Sequence, residues 1–245
     1  MLVVQELLRD DYSFEQAEAI QVKYQNIISQ SSKNNNKKSI NLIKTIVGVD
    51  IAYYNKRNYD YGVACAVVWD LKQQRKEAHF FAQDRINFPY KPGFLGFREC
   101  KLLARVISRL PKEPDLIMCD GHGNIHPRRF GEAVQIGFAL NVSSIGIAKN
   151  PFFGYSDWQK IEKIKGNKAP VWAKDPKTIT KKQSNELLGY ATCLKNGSKP
   201  VFISVGYKIS LDIALEVSLI TIKGHRQPEP LYLAHFLSKR EINKS

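Results

Sequence analysis

T-I-V-G-V-D-I-A-Y, residues 45–53, is a β-branched, apolar run with one acid, Asp50, near its centre. Two similar runs follow after short polar stretches: G-V-A-C-A-V-V-W-D at 62–70 and K-E-A-H-F-F-A-Q at 76–83. Runs of this composition predict strands, and three strands joined by short loops favour an antiparallel meander. We therefore expect the fold to start from a three-stranded sheet whose first strand holds an acid.

Beyond residue 83 the pattern alternates between helices and strands. Periodicity and end signals predict helices at about 97–110, 127–140 and 211–222, and strands at 115–119, 144–148, 186–193 and 200–205. A meander followed by such alternation gives a mixed β-sheet with helices on its faces, an α/β fold. With 245 residues and 43% hydrophobic content, the chain can bury a single large core.

The residues before this core predict one helix and one linker. Ser13 and Gln16 form a capping box ahead of a helical apolar pattern, which predicts an N-terminal helix within residues 1–30. The segment S-S-K-N-N-N-K-K-S at 31–39 is polar, basic and of low complexity, which is typical of a solvated linker. The whole chain is thus expected to be one domain with its core at 45–238.

Charge and cysteine usage narrow the class of protein. A net charge of +14 and a sequence pI of about 9.6 indicate a polyanionic partner, nucleic acid or an anionic membrane surface, although a generally lysine-rich surface would give the same values. The sequence has neither a long apolar run nor a secretory signal pattern, which favours nucleic acid over a membrane and predicts a cytoplasmic protein. The four cysteines form no C-x-x-C pair, so we expect reduced core thiols.

The motif D-G-H-G-N-I-H-P-R-R-F-G begins at Asp120 and follows an apolar run that predicts a short buried strand. The acid therefore stands at a strand end before Gly121 and Gly123, which can take positive φ angles and let backbone N–H groups come close to a ligand. Pro127 is expected to begin the next helix, with Arg128 in its first turn. Because the helix dipole disfavours cations there, the paired arginines indicate a nearby anion such as phosphate.

Three carboxylates could form a metal site. Asp50 lies inside the first predicted strand, Asp120 at the end of a later strand, and Glu99 in the expected first turn of a helix. If the two strands are neighbours, their acids repel each other unless a divalent cation neutralises them, and all-oxygen ligands favour Mg²⁺ or Mn²⁺. Such a site suggests metal-assisted phosphodiester hydrolysis. The alternative for each acid is a turn cap or an ion pair with a surface arginine.

Further basic and imidazole side chains accompany these acids. Lys149 follows the S-I-G-I-A strand, where it could neutralise charge on a transferring phosphate, although an ordinary exposed lysine fits the spacing equally well. His122 and His126 are four residues apart, but Gly123 and Pro127 predict a loop there, which argues against a zinc site on one helical face. We expect His126 to hydrogen-bond a phosphate or to support a metal ligand.

The loop F-P-Y-K-P-G at 88–93 holds an aromatic side chain between two prolines. Pro89 and Pro92 stiffen the turn around Tyr90, so that its ring could project from the surface at small entropic cost. A rigid projecting aromatic ring is suited to entering a base stack in a distorted duplex. The more common alternative is a tyrosine packed against the core.

In its motifs the chain resembles the endonuclease V family, the deoxyinosine 3′ endonucleases. The matching segments run in order along nearly the whole chain after residue 45: V-G-V-D-I-A at 47–52, F-P-Y-K-P-G-F-L-G-F-R-E at 88–99, D-G-H-G-N-I-H-P-R-R-F-G at 120–131, S-I-G-I-A-K at 144–149 and H-R-Q-P-E-P-L-Y-L-A-H at 225–235. The resemblance implies a ribonuclease-H-like fold and hydrolysis of the second phosphodiester bond 3′ to inosine, leaving 3′-hydroxyl and 5′-phosphate ends. It implies Mg²⁺ as cofactor, with Mn²⁺ as a substitute. We expect a monomer acting on DNA that contains deoxyinosine, with inosine in RNA as a second substrate class.

Carried over residue by residue, the resemblance gives each candidate a role. Asp50 and Asp120 become the metal ligands, and Glu99 the third acid of the catalytic set. Lys149 and His126 become supports near the scissile phosphate. The expected DNA contacts are the Tyr90 wedge with its prolines, the glycine-loop residues that would bind a flipped base, and one arginine: Pro89, Tyr90, Pro92, Gly93, Leu95, Gly121, Gly123 and Arg128.

One position departs from the family pattern. Many members have S-P-G-H after the late strand, where this chain reads S-V-G-Y, so that Tyr207 replaces a histidine expected near the metal. A phenol with a pKa of about 10 stays protonated at neutral pH, so metal affinity or rate is expected to differ. Two alternatives stay open: an inosine- or distortion-specific nucleic-acid binder with impaired catalysis, and another ribonuclease-H-like nuclease, such as a resolvase, that is indifferent to inosine.

Overall fold

Three strands open the sheet, and helices and further strands follow them, in a computed structural model that describes residues 3–31, 39–180 and 184–244. Within these ranges the strands are β1 (Thr45–Lys56), β2 (Tyr59–Asp70), β3 (Arg75–Arg85), β4 (Leu116–Cys119), β5 (Ser144–Ala148), β6 (Lys168–Trp172), β7 (Leu187–Thr192) and β8 (Val201–Tyr207). The α-helices are α1 (Phe14–Ser31), α2 (Leu95–Ile107), α3 (Glu132–Leu140), α4 (Leu211–Ile220) and α5 (Glu229–Ile242). The strands form one mixed sheet in the order β3-β2-β1-β4-β5-β8-β7-β6.

The first three strands form the expected antiparallel meander. A two-residue turn joins β1 to β2, and its residues Arg57 and Asn58 both have positive φ, 52° and 64°, as tight hairpin turns require. On its other side β1 pairs in parallel with β4, and Val49 stands opposite Cys119. Because Asp50 and Asp120 directly follow these paired residues, the two acids emerge side by side at one edge of the sheet.

Helices cover both faces of the sheet. The side chains of Val47 and Val49 in β1 face one core, which β1 shares with α2 and α3. Ile46 faces the opposite core, which includes residues of α4 and α5. On this second face a Cβ at Gly48 would collide with the backbone of Pro230, so only glycine lets α5 lie this close to β1.

The capping box predicted for α1 is present. Gln16 N donates to Ser13 Oγ at 3.2 Å, and Ser13 N donates to Gln16 Oε1 at 2.9 Å. The helix contributes Tyr24 to an aromatic cluster whose other members come from α2 and from the loops around the site: Phe88, Phe94, Phe97 and Phe130. The linker expected after α1 falls on residues 32–38, which lie outside the described ranges.

Two expectations about local structure are wrong, and two elements were missed. Helix α3 begins at Glu132 and not at Pro127, so the paired arginines lie in a turn before it, with φ 54° at Arg129, and the argument from the helix dipole fails. Glu99 is the fifth residue of α2 and therefore lies in its second turn. Strand β6 and helix α5 were not predicted.

Two other expectations are confirmed, the buried free thiols and the α/β arrangement. All four cysteines are free and buried. No helix among the described residues has the length and hydropathy needed to cross a bilayer. The mixed sheet with helices on both faces is the expected α/β arrangement.

Candidate active site

Two carboxylates and one imidazole meet where β1 and β4 bring their acids together. Within the described residues, Asp50, Asp120 and His235 each offer a ligand atom, and these atoms all lie within 4.8 Å of one another. His235 Nδ1, from α5, lies 2.8 Å from Asp50 Oδ2. Burial and the charge of Asp50 raise the pKa of Asp120, so a cation between the two acids would be strongly stabilising.

This donor set fits a divalent metal ion. Two carboxylates are the ligands that Mg²⁺ and Mn²⁺ prefer, and an imidazole can complete the site or hold a ligating carboxylate in place. Sequence reasoning quoted His235 only within the L-A-H of the tail motif and gave it no role. Its contact with Asp50 spans 185 residues, which no local pattern reveals.

Asp120 is held from two directions. Lys149 Nζ donates to Asp120 Oδ2 at 2.5 Å, and Gln227 Nε2 donates to Oδ1 at 2.9 Å. Lys149 directly follows β5, the parallel neighbour of β4, which explains its reach. It is therefore a half-buried partner of the acid and not an ordinary exposed lysine.

Glu99 lies behind this cluster in a buried acid pair. Tyr53 Oη donates to Glu99 Oε1 at 2.5 Å, and the carboxyl group of Glu99 is also hydrogen-bonded to that of Glu132. Burial raises the pKa of Glu99 to about 8, and burial together with the charge of Glu99 raises the pKa of Glu132 well above its usual value. The pair is therefore expected to hold a proton at neutral pH. Sequence reasoning missed Glu132, which resembles an ordinary acid at a helix start.

A cavity of about 320 Å³ opens beside Asp120. Its walls come from residues 90–96, 120–132 and 148–152, with Gln21 contributed by α1. The sequence-predicted candidates in these walls are Tyr90, Pro92, Gly93, Leu95, Asp120, Gly121, His126 and Lys149. Three other candidates, Pro89, Gly123 and Arg128, do not line the cavity. Pro89 and Gly123 belong to the loops that form its walls, and Arg128 donates to the Gly93 carbonyl of one of them.

The Tyr90 ring projects from the surface at the rim of this cavity. Its side chain is 69% exposed, and both flanking prolines, Pro89 and Pro92, are exposed as well. The alternative of a tyrosine packed against the core is therefore wrong for this loop.

One carbonyl ties the Tyr90 loop to its surroundings. Gly93 has φ 87°, and its oxygen accepts from Gln21 Nε2 at 3.0 Å, from His126 Nε2 at 3.0 Å and from Arg128 Nη2 at 3.2 Å. Gln21 is almost fully buried, and its Nε2 also donates to the Phe130 carbonyl at 3.2 Å. Sequence reasoning missed Gln21; the available signal is a polar residue within the apolar pattern of α1.

His126 and Arg128 are engaged with the protein itself. His126 Nδ1 accepts from the backbone N–H groups of Arg128, at 3.2 Å, and Phe130, at 3.4 Å. Burial lowers the pKa of His126 to about 4, so its ring is neutral at pH 7 and its two nitrogens fix the loop. Arg128 donates to Gln21 Oε1 at 2.5 Å and to Glu18 Oε1 at 3.2 Å, which joins α1 to the same loop.

Gly121 and Gly123 do not use the positive φ that glycine allows, since neither is among the positive-φ glycines of the described residues. Both are required by close packing instead. A Cβ at Gly121 would collide with the Glu132 carboxylate, and one at Gly123 with the backbone carbonyl of Val205. Gly123 N also donates to Ser204 Oγ at 2.8 Å, which holds the loop against β8.

Tyr207 does not lie at the metal cluster, so the expectation that it replaces a metal-site histidine is wrong. It pairs with Ser144 at the start of β5, whereas Lys149 follows the other end of that strand. Its ring packs edge-on against Phe138 with centroids 5.2 Å apart. The imidazole next to Asp50 is that of His235.

Comparisons with known proteins agree with this geometry. The family model for Endonuclease V matches residues 25–236. A protein named Endonuclease V from Streptomyces avermitilis is 37% identical over 201 residues, which is 82% of this chain and 81% of that protein. The crystal structure of the endonuclease V of Bacillus subtilis superposes with a TM-score of 0.83 at 29% identity and covers 99% of this chain and 98% of that chain.

A further neighbour contains nucleic acid. The endonuclease V of Ciona intestinalis, in complex with a 24mer DNA containing an inosine followed by a ribo-adenosine, superposes with a TM-score of 0.76 at 26% identity. The match covers 94% of this chain and 97% of that chain. The shared arrangement is the ribonuclease-H-like fold. From the family match and these likenesses we conclude that the chain belongs to the endonuclease V family of nucleases, which hydrolyse phosphodiester bonds.

Proposed function

We propose that this chain is a DNA repair endonuclease that recognises deoxyinosine and hydrolyses the second phosphodiester bond 3′ to it, leaving 3′-hydroxyl and 5′-phosphate ends. The observation that carries the proposal is the cavity of about 320 Å³ between Tyr90 and Asp120. A pocket beside a metal-binding cluster offers room for an extruded base within reach of the phosphate to be cut. The family match and the inosine-containing DNA bound by the Ciona protein support the same substrate class.

The acid cluster would hold the catalytic ion. Asp50 and Asp120, with His235 beside them, are the proposed ligands of Mg²⁺, for which Mn²⁺ can substitute. Bound there, the ion would orient and activate water and stabilise the leaving oxygen. Lys149 keeps the Asp120 carboxylate in position and adds positive charge where the phosphate would lie. Glu99 serves as the third acid and, with its pKa raised by burial, limits the negative charge of the cluster.

The loops around the cavity would recognise the base. Tyr90 fills the gap left in the duplex by the flipped nucleotide, with Pro89 and Pro92 holding its loop rigid. Backbone groups of Gly93, Leu95 and Gly121 contact the small base, and the two glycines let the backbone come close to it because they have no Cβ. The side chains of His126 and Arg128 hold their loop against the Tyr90 loop through the Gly93 carbonyl, and Gly123 holds the same loop against β8. These contacts shape the pocket.

The test uses a 5′-labelled duplex with one inosine, an undamaged duplex and a matched inosine-containing RNA strand. We expect Mg²⁺-dependent cleavage one nucleotide beyond the inosine's own 3′ linkage, abolished by a chelator and by Asp50→Ala. Glu216→Ala removes an exposed acid of α4 and is the matched control, which should cleave normally.

Each other outcome favours a different function. Tight inosine-dependent binding without cleavage would indicate a nucleic-acid binder, and equal cleavage of both duplexes would indicate a nuclease indifferent to inosine. Faster cleavage of the RNA strand would make inosine-containing RNA the main substrate. We also propose that the protein is cytoplasmic, which the four free thiols support. We propose in addition that it is a monomer, and light scattering of the purified protein tests its mass.

A further inference from the structure

We propose that three aromatic rings on α5 and in the segment before it bind bases of the substrate strand on the 3′ side of the cleaved bond. These rings, the α5 ring stack, are His225, Tyr232 and Phe236. The proposal rests on the proposed function, because it names a further contact of the same substrate. Such a stack would add binding energy from nucleotides on the 3′ side of the cleaved bond, independently of the base pocket.

The rings lie nearly parallel on the surface. The centroids of His225 and Tyr232 are 3.2 Å apart with an interplanar angle of 9°, and those of Tyr232 and Phe236 are 6.3 Å apart with an angle of 16°. Phe236 is 48% exposed, so the end of the stack faces solvent. His225 and Tyr232 are half-buried and cover one face of each other, so an unpaired base would stack at the Phe236 end. Proteins bind unpaired bases on exposed aromatic faces, because every base can stack whatever its sequence.

The stack lies next to the metal cluster. His235, which contacts Asp50, is the neighbour of Phe236 in the sequence. At about 100° per residue, Tyr232, Phe236 and Lys239 form one stripe along α5, directly beside the stripe that carries His235. A strand held at the cluster therefore reaches these rings within a short distance.

The contacts of Asp120 give the direction of the strand. Its Oδ2 accepts from Lys149, which lines the base pocket, and its Oδ1 accepts from Gln227, which lies two residues before α5. The pocket and α5 thus lie on different sides of this carboxylate. With the lesion base in the pocket and the cleaved bond on its 3′ side, the nucleotides that continue past Asp120 towards α5 are the 3′ ones.

Charge around the stack matches a nucleic-acid backbone. Exposed basic residues flank it on α5 and on the preceding loops: Lys195, Lys199, Lys223, Lys239 and Arg240. Lys195 Nζ donates to the carbonyl of Gly224, directly before His225. One acid also lies here: His225 Nδ1 contacts Glu229 Oε2 at 3.2 Å, which holds the His225 ring against the start of α5.

The experiment measures binding in the presence of a chelator, so that no strand is cut. Two inosine-containing strands carry a four-nucleotide single-stranded segment 3′ to the cleavage position, one with normal bases and one with abasic sites. A third carries its abasic sites 5′ to inosine, and each strand has an inosine-free counterpart. Because stacking contributes about a factor of five or more per base, we expect the protein to bind the normal strand about fivefold tighter or better. Tyr232→Ala and Phe236→Ala should abolish that difference, whereas Phe236→Trp should keep it.

Leu42→Ala is the control, because Leu42 is an apolar side chain with 63% exposure outside α5. If the unaltered protein bound the normal strand and the strand with 3′ abasic sites equally, the proposed role of the α5 ring stack would be wrong. Mg²⁺-dependent cleavage at inosine would in that case still support the proposed function. Absence of any inosine preference on either strand would instead reject the proposed function. A loss of affinity only when abasic sites lie 5′ to inosine would overturn the assigned direction.

Discussion

Gly48→Ala is expected to disturb the metal cluster by pushing α5 away from β1. Gly48 lies under α5, two residues before Asp50. A Cβ built on it would collide with the Pro230 carbonyl and lie 2.8 Å from Leu231 N. Because both neighbours are backbone atoms, no side-chain rotation can relieve the overlap.

The geometry gives the size of the effect. Ordinary contact begins at 3.4 Å, so α5 must retreat by about 0.6 Å from Leu231 N and further from the Pro230 carbonyl. Overpacking of this kind lowers the free energy of unfolding by about 1–3 kcal/mol. The same shift stretches the 2.8 Å contact between His235 Nδ1 and Asp50 Oδ2 towards the limit of a hydrogen bond. Since metal–ligand distances tolerate only about 0.2 Å, we expect the affinity for Mn²⁺ to fall about 10- to 100-fold.

Calorimetric titration with Mn²⁺ measures this loss, and thermal unfolding shows whether the variant is folded. Gly224→Ala is the matched control, because a Cβ there meets nothing within 4 Å. It should bind Mn²⁺ like the unaltered protein. Undiminished Mn²⁺ affinity in folded Gly48→Ala would refute the reasoning, because α5 would then not set the position of the cluster.

Gln21→Ala removes three hydrogen bonds between α1 and the pocket loops and should lower the free energy of unfolding by about 2–4 kcal/mol, whereas the exposed Val22→Ala should change it little. Equal urea midpoints for these two variants would contradict that assignment. Tyr90→Ala should reduce the preference for inosine-containing over undamaged strands more than it reduces Mn²⁺ affinity; an unchanged ratio of the two Kd values would show that the ring is not the wedge. Burial lowers the pKa of His126 from 6.5 to about 4, so between these pH values the unfolded chain binds more protons and the native protein loses stability as the pH falls. His126→Asn should therefore flatten the dependence of unfolding free energy on pH in that window, and parallel curves for the two proteins would exclude this titration.

The strands could be predicted because their patterns are local. The sequence predicts β5 with the bounds observed, and the meander within a few residues, since alternating β-branched and small residues fit a buried sheet. The start of α3 could not be predicted, although Pro127 is a good helix-start signal. There the His126 ring accepts from the N–H groups of Arg128 and Phe130, and this contact holds a turn where the first helical turn was expected.

In the candidate site, too, the residues with a local sequence signal could be predicted and those placed by distant contacts could not. Asp50 and Asp120 could be recognised because each is an isolated acid beside an apolar strand. His235 and Gln227 could not, because their partners lie 185 and 107 residues away and α5 carries no signal that it faces the acids. The error about Tyr207 has the same origin: a motif gives the residue type, and only the sheet register gives its place.

The separation between Asp50 and His235 also has a consequence for the newly made protein. Chains emerge from the ribosome N-terminal end first, so the acids, the pocket loops and Tyr90 are all synthesised before α5. The imidazole reaches Asp50 only when α5 packs against β1, with Gly48 beneath it. A partly made chain without α5 therefore lacks the imidazole beside Asp50, and we expect its capacity to cut nucleic acid to arise only once α5 has been made and has packed against β1.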